Sequence, residues 1–76
     1  MKAVLNSYPN ATNITIAEVF KPKYGWIRIW GQSLVNLTLN NVLKAKNEGA
    51  THINVRLIDE FGIEKYPDFT ISELIK

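Results

Sequence analysis

The groups in this chain able to do chemistry are few. They are one histidine, His52, an acidic run of Asp59, Glu60 and Glu64, scattered serines, and two tryptophans bracketing an arginine in Tyr24-Gly25-Trp26-Ile27-Arg28-Ile29-Trp30-Gly31. Paired carboxylates do acid–base work when their surroundings push their pKa values apart. Here the run sits in Asp59-Glu60-Phe61-Gly62, which reads as a solvated hairpin tip. His52 has no second histidine and no cysteine to join it, so zinc ligation is not supported. A Ser–His–acid triad would need Ser7, Ser33 or Ser72, and no spacing recommends one of them. The glycines at 25, 31, 49 and 62 are too dispersed to cradle a phosphate. The residue types therefore predict no catalysis, no cofactor and no metal.

The aromatic stretch is different. Its residues alternate, with both tryptophans and Arg28 on one parity and Ile27 and Ile29 on the other, the pattern of a β-strand with two unlike faces. Trp, Tyr and Arg are the side chains enriched where proteins touch one another.

With 76 residues the chain makes a single domain, spanning 1–76, with a thin core. Hydrophobic residues make up 46% and charged ones 21%, a globular balance that excludes disorder. The absence of cysteine excludes a disulfide framework. No apolar run suggests a leader or a membrane span, so the expectation is a cytoplasmic protein without a membrane partner. The net charge of +2 is unevenly spread. Residues 1–47 carry six cations against Glu18 alone, whereas 48–76 carry three cations against six carboxylates. Such asymmetry steers anionic partners to one end or orients copies head to tail.

Residues 1–12 read as a lead-in or short edge strand, with Asn6, Ser7, Pro9 and Asn10 as turn formers. Asn13 to Phe20 is a strand rich in β-branched residues. Lys21-Pro22-Lys23-Tyr24-Gly25 turns the chain, and Trp26 to Trp30 returns as the second strand. Ser33 is an N-cap candidate for an amphipathic helix over Leu34 to Glu48, closed by Lys44, Lys46 and Gly49. Thr51 to Ile58 is the third strand, with Ile53, Val55 and Leu57 on one face and His52, Asn54 and Arg56 on the other. Ile63 to Tyr66 is the fourth, after a loop of three or four residues. In the tail, 67–76, Thr70 and Glu73 have capping-box spacing, and a helical turn or a fifth strand both fit.

The fold class is therefore α+β: a four-stranded, mainly antiparallel sheet of two hairpins with one helix across one face, in ββαββ order over 13–66. In element order alone this resembles the β-grasp arrangement. No motif accompanies the resemblance, so it implies a layout and no function.

A loop over 21–25 pairs Phe20 with Trp26, Glu18 with Arg28 and Ile16 with Trp30 on one face, and Val19 with Ile27 and Ala17 with Ile29 on the other. A loop one residue shorter would bury Glu18 beneath the helix, at a desolvation cost that favours the first register. The face with Val19 suits a covering helix that contributes Val35, Leu39 and Val42. The opposite face gathers Ile16, Phe20, Trp26 and Trp30 around Arg28, with Lys21 and Lys23 at its rim, and an apolar patch of that kind marks a contact site. The expected function is a small non-catalytic module that binds a protein partner or a second copy of itself through these residues. The alternative is single-stranded nucleic acid, with bases on the aromatics and phosphates on Lys21, Lys23 and Arg56. A third reading has residues 1–12 or the tail fold over the patch as a second small core.

Overall fold

Strand β1 (Thr12–Lys21) is the longest element and the one on which the sheet is built; the structure, a computed structural model, describes residues 1–28 and 35–76. On one side β1 pairs antiparallel with β2 (Gly25–Ile27), and on the other with β3 (His52–Ile58). Strands β4 (Glu64–Lys65) and β5 (Asp68–Thr70) share the far edge of β3, one at each end of it. Helices α1 (Lys2–Ser7), α2 (Leu39–Asn47) and α3 (Ile71–Leu74) complete the α+β architecture. The full order is αββαβββα, so the ββαββ order expected from sequence is a part of it, with a helix before and a strand and helical turn after.

The first turn takes the register that keeps Glu18 out of the core. Phe20 lies opposite Trp26 and Val19 opposite Ile27, and the Tyr24 amide donates to the Lys21 carbonyl at 2.9 Å. Gly25 closes it at φ +81°, a conformation that costs a residue with a Cβ. At the other turn, Ile58 opposite Glu64 and the Asp59 amide donating to the Ile63 carbonyl at 3.0 Å leave a three-residue loop, the shorter of the two expected. Asp59 Oδ1 accepts from the Phe61 and Ile63 amides, each at 2.9 Å, and Gly62 supplies the φ of +77°.

Four expectations are corrected. Residues 2–7 are helical where a lead-in or edge strand is expected, because Val4 goes into the core and the Tyr8 amide closes the turn on the Val4 carbonyl at 2.8 Å. Helix α2 starts at Leu39, not Leu34. Thr38 is its N-cap, its hydroxyl accepting from the Asn41 amide at 3.2 Å. The chain before it is extended: the Ile16 amide donates to the Val35 carbonyl at 2.7 Å and the Leu37 amide to the Ile14 carbonyl at 3.2 Å, so 35–37 lines the edge of β1. With that start, Val42 and Ala45 face the core, whereas Leu39, expected inside, is 51% exposed.

The fourth correction concerns Ile16. Between Ile16, which faces Val55, and Glu18, which faces Asn54, β1 carries one extra residue. That bulge breaks the strand's alternation, so Ile16 and Val19, three apart, both point inward. Ile16 is 5% exposed and belongs to the core, not to the outer aromatic face. Trp30 and its pairing, the pairing of Ala17 with Ile29, and the Ser33 cap lie outside the described residues.

One face of the sheet is closed. Val19, Ile53, Val55 and Leu57 pack beneath Val4 of α1, Val42 and Ala45 of α2, and Ile71 and Leu74 of α3. Burying an aliphatic side chain of this size contributes roughly 1.5–3 kcal/mol, so this layer is what holds the fold. Among the described residues no buried side-chain polar atom lacks a hydrogen-bond partner.

Candidate functional site

Among the described residues the three helices lie on one face, and the other carries side chains of the strands. Register decides which of them meet. Trp26 of β2 stands opposite Phe20 of β1, Phe20 opposite His52 of β3, and His52 opposite Thr70 of β5, so four strands give one residue each to a single row. The rings meet edge to face: Phe20 and Trp26 at 5.4 Å between centroids and 61°, Phe20 and His52 at 5.8 Å and 87°. This geometry sets the positive edge of one ring on the negative face of the next. His52 Nδ1 lies 2.8 Å from the Thr51 hydroxyl oxygen. Trp26 keeps 41% of its surface exposed, and Phe20 and His52 are half-buried.

The next row is polar. Glu18 stands opposite Asn54, and Asn54 opposite Asp68. The Asn54 side chain donates through Nδ2 to Asp68 Oδ1 at 2.6 Å and to the Tyr66 carbonyl at 3.0 Å. Beyond it Arg56 meets Glu64, Nε donating to Oε1 at 3.0 Å and Nη2 to the same oxygen, while the Tyr66 hydroxyl donates to Oε2 at 3.3 Å. The Arg56 hydrogen bonds, and then its charge, hold the Glu64 carboxyl below the usual range, and Glu64 in turn raises the guanidinium.

Of the residues singled out from sequence, Phe20 and Trp26 are on this face and in contact. Arg28 is exposed just past the end of β2, so the expected pairing with Glu18 falls beyond the ladder. Lys21 points to the helix side, its Nζ 3.6 Å from Glu48 Oε1 at the end of α2, which corrects its place at the aromatic rim. Lys23 is exposed in the turn. Residues 1–12 and the tail do not cover the face; α1 and α3 send Val4, Ile71 and Leu74 into the helix-side core.

The row has a member that sequence reading passed over, His52. Alternation puts it on the outer side of its strand, but its meeting with Phe20 depends on β1 and β3 being neighbours, and no local signal carries that. The acidic run does not assemble a catalytic pair. Asp59 serves its own turn, Glu60 Oε2 accepts from Asn10 Nδ2 at 3.1 Å, and Glu64 is engaged by Arg56 and Tyr66. Among the described residues, no three His, Asp or Glu side chains come together as a metal site, and no helix is long and apolar enough to cross a membrane.

Comparison with known proteins gives no match: no family model fits the chain, and no curated protein or solved structure is similar to it.

Proposed function

We propose that this chain is a non-catalytic interaction module whose outer sheet face docks on a protein surface, a second copy of itself included. The observation that carries this reading is the Trp26–Phe20–His52 row on the face opposite the described helices, with Trp26 41% exposed. A half-sheltered tryptophan braced by a neighbouring ring offers large apolar area with little rotamer entropy left to lose, the character of an interface anchor.

The same geometry weighs against nucleic acid. Lys21 is on the helix side with Glu48, and Arg56 is tied to Glu64. Glu18 and Asp68 line the row beside the aromatics, where they repel phosphates.

Sedimentation equilibrium of the wild type and Trp26→Ala over a range of concentrations tests the proposal. Truncating the anchor should weaken association by ~2 kcal/mol or more. Association equal to the wild type's in Trp26→Ala would sink the reading. A single-stranded oligonucleotide bound more weakly as salt rises would replace it with the nucleic-acid one.

A further inference from the structure

The two hairpin turns lie at opposite ends of the sheet. Phe20 is level with His52 and Thr12 with Ile58, so the turn after Lys21 and the turn after Ile58 are separated by the length of β3, roughly 20 Å at the usual strand rise. Their chemistry is opposite. The first, Lys21-Pro22-Lys23-Tyr24-Gly25, carries two lysines and no acid; the second, Asp59-Glu60-Phe61-Gly62-Ile63, carries two carboxylates and no base. Helix α2 ends beside the first turn and adds Lys44 and Lys46 there, with Glu48 as the opposing charge. Beside the second stand Glu64, Lys65 and Arg56, the last tied to Glu64.

Their shapes are complementary as well. Phe61 projects from the acidic turn at 78% exposure, with Ile63 at 53%. At the basic end, Lys21, Pro22, Lys23, Tyr24, Glu48 and Gly49 surround an open cleft of about 430 Å³. A phenyl ring left in water at the tip of a turn is an apolar knob without a hole, and among the described residues the cleft is a hole without an occupant.

We propose that copies of this chain associate head to tail, Phe61 of one entering the Lys21–Tyr24/Glu48–Gly49 cleft of the next, with Glu60 set against Lys23. Burial of the ring supplies the affinity, and the charges choose the orientation and speed the encounter. The contact is heterologous, so it propagates into a ring or an open chain of copies. It uses a surface separate from the aromatic row and does not rest on that row's role.

The test is sedimentation equilibrium of the full chain at low and high salt, with far-ultraviolet circular dichroism confirming that each variant is folded. The wild type should gain mass with concentration, less so at high salt. Phe61→Ser should weaken association by roughly thirtyfold, the hot-spot scale. Lys23→Glu and Glu60→Lys should each weaken it, while an equimolar mixture of the two, and the doubly substituted chain, should regain it, because the swapped charges match again. Trp26→Ala, which removes only the contact through the aromatic row, should leave the response to salt and to the charge swap in place. A wild type that stays monomeric to millimolar concentration overturns the inference. So does a mixture no stronger than its components, or a loss caused by Trp26→Ala and not by the charge variants; this last outcome leaves the aromatic-face reading standing.

Discussion

On the helix side of β3, Ile53, Val55 and Leu57 lie at 0% exposure, whereas on its reverse side His52, Asn54 and Arg56 stay half-open and each makes contact with a neighbouring side chain. The inner face is held by close packing of aliphatic groups, where every methylene counts and direction hardly matters. The outer face is held by rings set edge to face and by hydrogen bonds along the strand rows, where direction is everything and each contact is small. Damage to the first should therefore appear as lost stability, and damage to the second as a changed surface on an intact fold.

The widest split between the faces should come from Ile53→Ala, which leaves a cavity under α2 and α3 and should cost roughly 2–5 kcal/mol in a urea titration. Thr70→Ala comes next. Thr70 sits on the outer row yet caps the inner helix α3, its hydroxyl accepting from the Glu73 amide at 3.1 Å, and its loss should cost about 1 kcal/mol. Trp26→Ala, which removes only one edge-to-face pair from the fold, should cost roughly 0.5–1.5 kcal/mol. If it unfolds the chain as badly as Ile53→Ala does, the outer ring is a core residue and the contrast collapses. The smallest effect is that of pH. Arg56 holds the Glu64 carboxyl low, and the Thr70 hydroxyl and then its amide do the same for Glu73. Folded values below the unfolded one, near 4.5, mean stability that is fully present above that pH and is lost as pH falls through the folded values. Urea midpoints should be flat between neutrality and the unfolded value and decline below it, less steeply in a Glu64→Gln/Glu73→Gln chain.

The contrast between the faces also explains which parts of the molecule were legible in its sequence. Strand β3 keeps period two from end to end, and reading Ile53, Val55 and Leu57 inward and His52, Asn54 and Arg56 outward holds along its whole length. Strand β1 does not, because its register against β3 slips by one residue twice, between Thr12 and Thr15 and between Ile16 and Glu18. Past a slip, parity points to the wrong side, which is how Ile16 came to be expected among the aromatics. The capping box at Thr70 and Glu73 was readable because both halves of it are local. The start of α2 was not, since by type Ser33 is a better cap than Thr38 and the choice follows from 35–37 being drawn alongside β1. The row from Trp26 to His52 is half local and half not: the hairpin brings Phe20 to Trp26, whereas His52 arrives through a pairing thirty-two residues apart in sequence.

The edge of β3 away from β1 is not paired by one continuous strand. That edge is covered in two short pieces, β4 and β5, with Pro67 between them and its carbonyl accepting from the Val55 amide at 2.9 Å. The most aliphatic strand of the protein, the kind of segment that seeds fibrils when its backbone lies open, is thus fenced on one flank by β1 and on the other by stubs of two and three residues that present no long template. Handling at high concentration should accordingly give reversible assemblies and not amyloid.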